Sequence, residues 1–205
     1  MDPRFQELLL EYAHAKKGAK LREIEKKLWD QFGATRAVLV LDMSGFSLLS
    51  RRYGVVHYLS MVRRMQLAAQ EVIDQHGGEV VKFEADNCFA AFPDVDGAVK
   101  ASIALNQTFH RVNEQTPDEY DIRVAIGIDH GRILLIGGPD YFGDPVNTAC
   151  KLGEDTASAG EILLTERAFA LLSPEPARRA DKLHLSMSGI EITAYKIRYD
   201  LAVAL

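Results

Sequence analysis

Two hydrophobic patterns alternate along the chain: short aliphatic runs, which predict buried strands, and apolar positions three and four residues apart, which predict amphipathic helices. The strongest run is Val38 to Leu41, which ends at Asp42 and a Ser44-Gly45 turn and predicts a strand buried on both faces. A long apolar stripe begins after Gly54 and stops at Gly77-Gly78, which predicts one long helix. The apolar positions of that stripe are Val55, Val56, Leu59, Val62, Leu67, Ala69, Val72 and Ile73.

The N-terminal segment, residues 1–34, carries the helical spacing on a highly charged background. Its apolar positions recur at three and four residues, with a soft break at Gly18. This pattern predicts an amphipathic helix or a pair of helices. The segment can cap the core of the following domain, or it can pair with a second chain through a seam of Leu21, Ile24 and Leu28. The sequence leaves both possibilities open.

Residues 35–205 are predicted to form one α+β domain. The elements in order are a strand to Asp42, a short helix to about Tyr53, the long helix, a β-hairpin over 79–92, a helix to about Val112 capped by Asp94 or Asp96, and a strand over 122–128. This order makes a ferredoxin-like β-α-β-β-α-β core. Its C-terminal extensions are a strand over 132–136, a short helix near Gly143, a strand over 162–164, a helix from Thr165, and a strand pair at about 182–187 and 192–199. The Pro-rich stretch over 173–176 is predicted to be a loop.

Length, composition and charge narrow the classes of function. The 205 residues are 47% hydrophobic, which is ample for a core, and the net charge of -5 argues against a nucleic-acid partner. No apolar run reaches the length of a membrane span and the N-terminus is polar, so no membrane partner is expected. Cys88 and Cys150 have no disulfide or metal-site spacing, which indicates reduced thiols in a cytoplasmic protein.

Candidate chemistry begins where the first strand leaves the sheet, a common place for ligand groups, and here that place is Asp42. The amides from Ser44 to Ser47 would open a helix, and a helix N-terminus attracts anions such as phosphate. An aspartate before Ser-Gly is also a common turn or cap residue, so Asp42 alone does not indicate a ligand. Asp86, at the tip of the hairpin, is a second carboxylate at a loop end. Two such carboxylates can share a pair of divalent cations.

Three ordered motifs point to a known family. The first is the apolar strand followed by Asp-Met-Ser-Gly-Phe-Ser from Asp42 to Ser47, and the second is the hairpin Lys-Phe-Glu-Ala-Asp from Lys82 to Asp86. The third is Asp-Tyr-Phe-Gly-Asp-Pro-Val-Asn-Thr-Ala-Cys-Lys-Leu over 140–152, preceded by a strand and turn over 126–132. In this order and spacing they resemble the class III adenylate/guanylate cyclase catalytic domain over roughly 37–197.

The resemblance implies a reaction and its cofactors. In this family the ribose 3′-hydroxyl of a nucleoside triphosphate attacks its own α-phosphate and pyrophosphate leaves. Two divalent cations, Mg²⁺ or Mn²⁺, would be held by Asp42, Asp86 and the backbone carbonyl of Met43. They would acidify the hydroxyl and neutralise the charge of the leaving group. Amides around Gly45 and Phe46 would cradle the triphosphate.

Lys82 and Asp140 stand where members of the family contact the purine. A lysine ammonium can donate to adenine N1 and a carboxylate can accept from the 6-amino group, whereas guanine reverses this pattern of donor and acceptor. The pair therefore favours ATP over GTP as the substrate. Without the resemblance, Lys82 is a solvated cation on a strand and Asp140 is a turn former.

Asn147 and Lys151 are four residues apart on the predicted short helix, so they share one face. The resemblance implies that Asn147 orients the ribose. Lys151 stands where the family usually has an arginine that stabilises the transition state. A lysine is a point charge and lacks the planar fork with which arginine holds two phosphate oxygens.

Three further positions depart from the family pattern. Ala85 replaces the glycine of the hairpin, so the turn must either avoid a positive φ there or be strained. Ala125 and Ser188 occupy positions that often bring basic side chains to the terminal phosphates. Arg123, two residues before Ala125 on the same strand face, is a candidate substitute that binds substrate.

The sequence therefore predicts an adenylate cyclase that converts ATP to 3′,5′-cyclic AMP and pyrophosphate. The resemblance implies a homodimer with two sites at its interface, each with metal carboxylates from one chain and purine and ribose contacts from the other. The departures named above favour an alternative, a catalytically weak or inactive cyclase-homology domain that binds nucleotide in a regulatory role. A guanylate cyclase is a third possibility, against which Lys82 and Asp140 argue.

Overall fold

A mixed sheet with helices around it organises the part of the chain that the computed structural model describes, residues 2–15, 18–137, 140–187 and 190–201. The helices are α1 (Pro3–His14), α2 (Ala19–Phe32), α3 (Phe46–Tyr53), α4 (Val55–Gln75), α5 (Val95–Asn113), α6 (Asp144–Cys150), α7 (Glu166–Phe169) and α8 (Pro174–Ala177). The strands are β1 (Gly33–Met43), β2 (Glu79–Glu84), β3 (Asn87–Phe92), β4 (Val124–Ile136), β5 (Asp140–Phe142), β6 (Ile162–Thr165), β7 (Ala180–Met187) and β8 (Ile190–Ile197).

The strand order is β2-β3-β1-β4-β6-β8-β7, with β5 also paired to β4. Strands β1 to β4 pair antiparallel in the spatial order β2-β3-β1-β4. Helix α4 precedes β2 and helix α5 precedes β4 in the chain, and these two helices form the crossover connections. This is the ferredoxin-like core that the sequence predicts. The extension begins with β6, which pairs parallel to β4, and continues through antiparallel β8 and β7.

The two faces of the sheet have different coverings. Leu39 and Leu41 of β1 pack into the main core with α4 and α5, and both are fully buried. Val38 and Val40 point to the opposite face, where they pack in a second cluster with residues of β3, β5 and α6. Because side chains alternate along a strand, Asp42 continues the row of Val38 and Val40. The predicted burial of this run on both faces is confirmed.

Strand β4 differs from the prediction. Strands over 122–128 and 132–136 were expected on either side of a turn, whereas β4 runs unbroken from Val124 to Ile136. It pairs with β1 from Val124 to Leu134, and Asp129 near its centre is fully buried. The predicted turn is wrong: Asp129 can remain inside a buried strand because its carboxylate accepts hydrogen bonds from Thr165 and Arg167.

The Pro-rich stretch over 173–176 is also not the predicted loop. Its residues enter α8, a single turn of helix that begins at Pro174. Proline is favoured in the first turn because its φ is already helical and its missing N–H has no acceptor to lose there.

The N-terminal segment folds as a pair of helices that rest on β4. Phe5 and Leu8 of α1, Ile24 and Leu28 of α2, and Ile136 of β4 form one buried cluster. Two of the three residues of the predicted seam are therefore used within the chain, which favours the capping role. None of the described helices is long and apolar enough to cross a membrane.

Candidate active site

The two predicted metal carboxylates lie side by side at one end of the sheet. Asp42 pairs with Asn87 at the end of the β1–β3 ladder, and Asp86 precedes Asn87 in the hairpin turn. The backbone N–H of Met43 donates to the backbone carbonyl of Asp86 at 3.2 Å. Strand pairing thus brings together residues that are far apart in the sequence.

The electrostatics of this pair suit a divalent cation. Burial, and then the charges of Asp86 and Glu154, raise the pKa of Asp42 to about 6. A cation between carboxylates would relieve this repulsion, and carboxylate oxygens are the ligands that Mg²⁺ and Mn²⁺ prefer. No cluster of three or more metal-ligating side chains occurs in the described part of the chain. The predicted ligands at this place are two carboxylates, Asp42 and Asp86, and the backbone carbonyl of Met43.

A tyrosine from the long helix orients one of the carboxylates. The hydroxyl of Tyr58 donates to Oδ2 of Asp86 at 2.6 Å, and the Tyr58 side chain is 2% exposed. Burial, followed by this hydrogen bond, raises the pKa of Tyr58 far above its ordinary value. The hydroxyl therefore stays protonated and can only donate to Asp86.

Sequence reasoning missed a third carboxylate, Glu154. It lies in a π-helical turn over Lys151–Thr156, and its Oε1 accepts from Nδ2 of Asn87 at 3.1 Å. Burial, and then the charges of Asp155, Glu84 and Asp86, raise the pKa of Glu154. The Glu154-Asp155 pair is visible in the sequence, but the wider π turn changes which way each side chain points.

The predicted phosphate loop has the geometry of a helix start. Gly45 adopts φ 101, a conformation that favours glycine, and its carbonyl accepts from Leu48 and Leu49 as α3 begins. The amide of Ser44 donates to the carbonyl of Arg123 at 2.9 Å, which ties the loop to the strand beside it. The first amides of a helix have no acceptor within it, so the backbone at Phe46 can face an anion. The Phe46 side chain lies outside the described residues.

The two predicted purine residues are in contact. Nζ of Lys82 on β2 lies 3.3 Å from Oδ1 of Asp140 on β5 and 3.1 Å from Glu84. Burial lowers the pKa of Lys82, but hydrogen bonds with Glu84 and Asp140 raise it by more, so the ammonium is retained. The backbone N–H of Tyr141 donates to Oδ1 of Asp140 at 3.1 Å and fixes that carboxylate.

The predicted ribose residue, Asn147, lies on α6, and the predicted phosphate residue, Lys151, is the cap residue directly after this helix. Asn147 and Lys151 are exposed, and the N–H of Lys151 donates to the carbonyl of Asn147, so one helical turn separates them. Val146 and Ala149 of the same helix pack against the sheet on the face of Val38 and Asp42. Asn147 on α6 and Lys151 directly after it therefore both lie at the surface of the chain.

The predicted substitute cation, Arg123, pairs with a neighbouring carboxylate. Arg123 lies just before β4, its side chain is 68% exposed, and it pairs with Asp121 at 3.1 Å. Ala125 is buried and sits opposite Asp42 in the β1–β4 ladder. Ser188 lies outside the described residues.

The hairpin turn does not avoid a positive φ at its alanine, so the second of the two predicted alternatives, a strained turn, is the one observed. Ala85 has φ 51, the only positive φ of a non-glycine residue in the described ranges. This left-handed conformation destabilises a residue that has a Cβ by about 1–2 kcal/mol. The hairpin keeps the turn that a glycine would allow, so Asp86 stays at its tip.

Comparison with known proteins places the chain in a family. The family of adenylate and guanylate cyclase catalytic domains matches residues 33–198. An adenylate cyclase of Mycobacterium tuberculosis is 24% identical over 198 residues, which cover 91% of this chain and 44% of that protein. The chain thus spans less than half the length of this curated relative.

Solved structures of cyclases are also similar to this chain. An adenylate/guanylate cyclase/hydrolase from Silicibacter pomeroyi is 27% identical with a TM-score of 0.67, and the match covers 82% of this chain and 98% of that one. The catalytic core of a rhodopsin-guanylyl cyclase is 19% identical with a TM-score of 0.69, and covers 81% and 98%. The second likeness concerns the fold alone. The chain belongs to the adenylate and guanylate cyclase catalytic domain family.

Proposed function

We propose that the protein is an adenylate cyclase, which converts ATP to 3′,5′-cyclic AMP and pyrophosphate. The observation that carries the choice of ATP is the contact between Lys82 and Asp140. It sets a fixed donor next to a fixed acceptor, which matches N1 and the 6-amino group of adenine. Guanine presents an N–H and a carbonyl at these positions, so each would face a group of its own kind.

The metal ligands in this proposal are Asp42, Asp86 and the carbonyl of Met43. Two divalent cations bound there would acidify the ribose 3′-hydroxyl and stabilise the negative charge on pyrophosphate. Burial, and then the charges of Asp86 and Glu154, raise the pKa of Asp42, and a cation bound there would offset both effects. Tyr58 contributes by holding Asp86 in one orientation through its hydroxyl.

The remaining residues bind and orient the nucleotide. The amides at Gly45 and Phe46 would donate to the triphosphate at the positive end of α3. Asn147 would hold the ribose so that its 3′-oxygen lies in line with the α-phosphorus. Lys151 would place its charge beside the transferring phosphate, without the bidentate contact of an arginine. Arg123 would join the phosphates only after it leaves Asp121.

The proposed active unit is a homodimer with two equivalent sites. The family resemblance assigns the metal carboxylates of a site to one chain and its purine and ribose contacts to the other. This chain has both sets, so a two-fold axis would complete each site twice. The exposed position of Asn147 and Lys151 supports a role at such an interface.

Mixing two inactive variants tests this proposal. Asp42→Ala and Asn147→Ala should each lack cyclase activity, and a mixed dimer should contain one intact site. With free exchange half of the dimers are mixed, so activity should return to about a quarter of the parent at equal total protein. A mixture that stays inactive although a fluorescent label shows subunit exchange would contradict the shared site.

A second function has one observation in its favour. Lys151 replaces the arginine that the family usually has at the transition state, and Ala125, which is buried and apolar, occupies a position that often brings a basic side chain to the terminal phosphates. This favours a nucleotide-binding domain with little or no turnover. That protein would bind a non-cyclisable ATP analogue as tightly as a cyclase does and release no cyclic AMP from ATP.

A further inference from the structure

A fully buried carboxylate lies on β4, four residues along the strand from the position opposite Asp42. Asp129, in the centre of β4, is 0% exposed. Its Oδ1 accepts from the backbone N–H of His130 at 2.7 Å, the hydroxyl of Thr165 at 2.5 Å and Nε of Arg167 at 2.6 Å. Its Oδ2 accepts from Nη2 of Arg167. This two-point contact with a guanidinium satisfies a charge that would otherwise be costly to bury.

The same guanidinium reaches a second carboxylate. Nη2 of Arg167 lies 2.7 Å from Oδ2 of Asp144, the first residue of α6. The hydrogen bonds with Asp129 and then Asp144 raise the pKa of Arg167 further above its ordinary value, in spite of partial burial. Arg167 therefore connects a fixed point in the sheet with the N-terminus of α6, the helix that carries Asn147 and ends directly before Lys151.

Helical spacing extends this connection to the site. Asp144, Asn147 and Lys151 follow one another at three and four residues, and the backbone stays helical through Lys151, so they lie along one side of α6 and of its C-terminal cap. The contacts of Val146 and Ala149 set how closely the helix approaches the sheet. A tether at Asp144 sets how far the helix is rotated about its own axis.

We propose that Arg167 is a positioning residue for the cyclase reaction. Through a bridge made of Asp129, Arg167 and Asp144 it fixes the rotation of α6, and with it the directions in which Asn147 and Lys151 meet the nucleotide. The proposal rests on the proposed function, because Asn147 and Lys151 belong to the reaction only there.

Asp144→Ala is the variant that tests the bridge. It removes the outer contact and leaves Asp129 paired with Arg167, whereas a change of Arg167 itself would leave a buried charge without its partner and destabilise the whole protein. Lys196→Met is the matched control. It breaks another partly exposed ion pair, Lys196 with Glu161 at 2.8 Å, which lies away from α6 on β8.

Two readouts are expected to change in Asp144→Ala and not in the control. Amide hydrogen exchange in the nucleotide-free protein should become about tenfold faster over 147–151, because the end of the helix has lost its tether. The kcat with ATP and Mn²⁺ should fall about tenfold while KM changes by less than about twofold, since misdirected groups act in the transition state more than in the bound substrate. Asp144→Glu, which restores a carboxylate, should recover most of both.

The outcomes separate this proposal from the proposed function. If the parent forms no cyclic nucleotide, the proposed function fails, and the exchange measurement still decides whether the bridge holds α6. If the exchange over 147–151 and the kcat of Asp144→Ala both equal those of the parent, the bridge has no positioning role. The same conclusion follows if Lys196→Met changes both readouts equally, because the effect would then be one of general stability.

Discussion

Replacing Asp42 with asparagine should make the metal-free protein more stable while it destroys metal binding. In the parent, burial and the charges of Asp86 and Glu154 raise the pKa of Asp42 from 3.8 to about 6. At a pH above both pKa values, ionised Asp42 destabilises the native state by the full amount of this pKa shift, which corresponds to about 3 kcal/mol. The carboxylate is only half-buried, so screening by solvent reduces this to about 1–2 kcal/mol.

The sign of the effect gives it a pH signature. Between pH 4 and pH 6 the native state binds the proton of Asp42 more tightly than the unfolded state does, so the parent loses stability as the pH rises through this window. Asp42→Asn has no proton to lose. Its melting temperature in a metal chelator should exceed that of the parent by about 2–8 °C at pH 7, and the difference should shrink toward pH 4.

Added Mn²⁺ should reverse the order. A ligand that binds the native state stabilises it in proportion to the logarithm of its concentration over Kd, so the parent should gain melting temperature with Mn²⁺ and Asp42→Asn should gain far less. Asp74→Asn, on the exposed side of α4, is the control and should respond to Mn²⁺ as the parent does. A stability gain that is equal at pH 4 and pH 7 would contradict the raised pKa of Asp42. An undiminished response of Asp42→Asn to Mn²⁺ would contradict its role as a metal ligand.

Three further changes have defined outcomes. Lys82→Glu should lower kcat/KM about tenfold more for ATP than for GTP, because it swaps a donor for an acceptor opposite the purine; equal losses with both nucleotides would exclude Lys82 from base recognition. Lys151→Arg should raise kcat with ATP several-fold, roughly the benefit of bidentate contact, and a slower enzyme would mean that the site is built around lysine. Ala85→Gly should raise the free energy of unfolding in urea by about 0.5–1 kcal/mol, since relief of the positive φ exceeds the entropy that glycine costs; a loss of stability would contradict strain at this turn.

Elements with a strong local pattern could be predicted from the sequence. The aliphatic run of β1 and the hairpin around Asp86 have few alternatives, and strand pairing then brings Asp42 and Asp86 together. The resemblance assigned Lys82 and Asp140 to the same purine but did not predict the ion pair between them, and nothing in the spacing of β2 and β5 along the chain requires it.

The missed features depend on contacts between distant segments. Asp129 and Gly131 look like a turn in the sequence, yet β4 continues through them because Arg167, 38 positions further on, neutralises Asp129. Glu154 was missed because its approach to Asn87 depends on a π-helical turn, which has no signature in hydrophobic spacing. Helix pairing at the N-terminus remained ambiguous for the same reason, since the apolar stripe of α2 does not reveal which surface covers it.

Product analysis with the purified protein decides whether it is an adenylate cyclase. The protein would be incubated separately with ATP and with GTP in the presence of Mn²⁺, with Asp86→Ala as the inactive control, and cyclic nucleotide and pyrophosphate would be quantified. An adenylate cyclase should form equal amounts of cyclic AMP and pyrophosphate from ATP and little cyclic GMP from GTP. The Asp86→Ala variant should form neither cyclic AMP nor pyrophosphate. Cyclic GMP as the main product, no cyclic nucleotide from either substrate, or undiminished turnover by Asp86→Ala would contradict the proposed function.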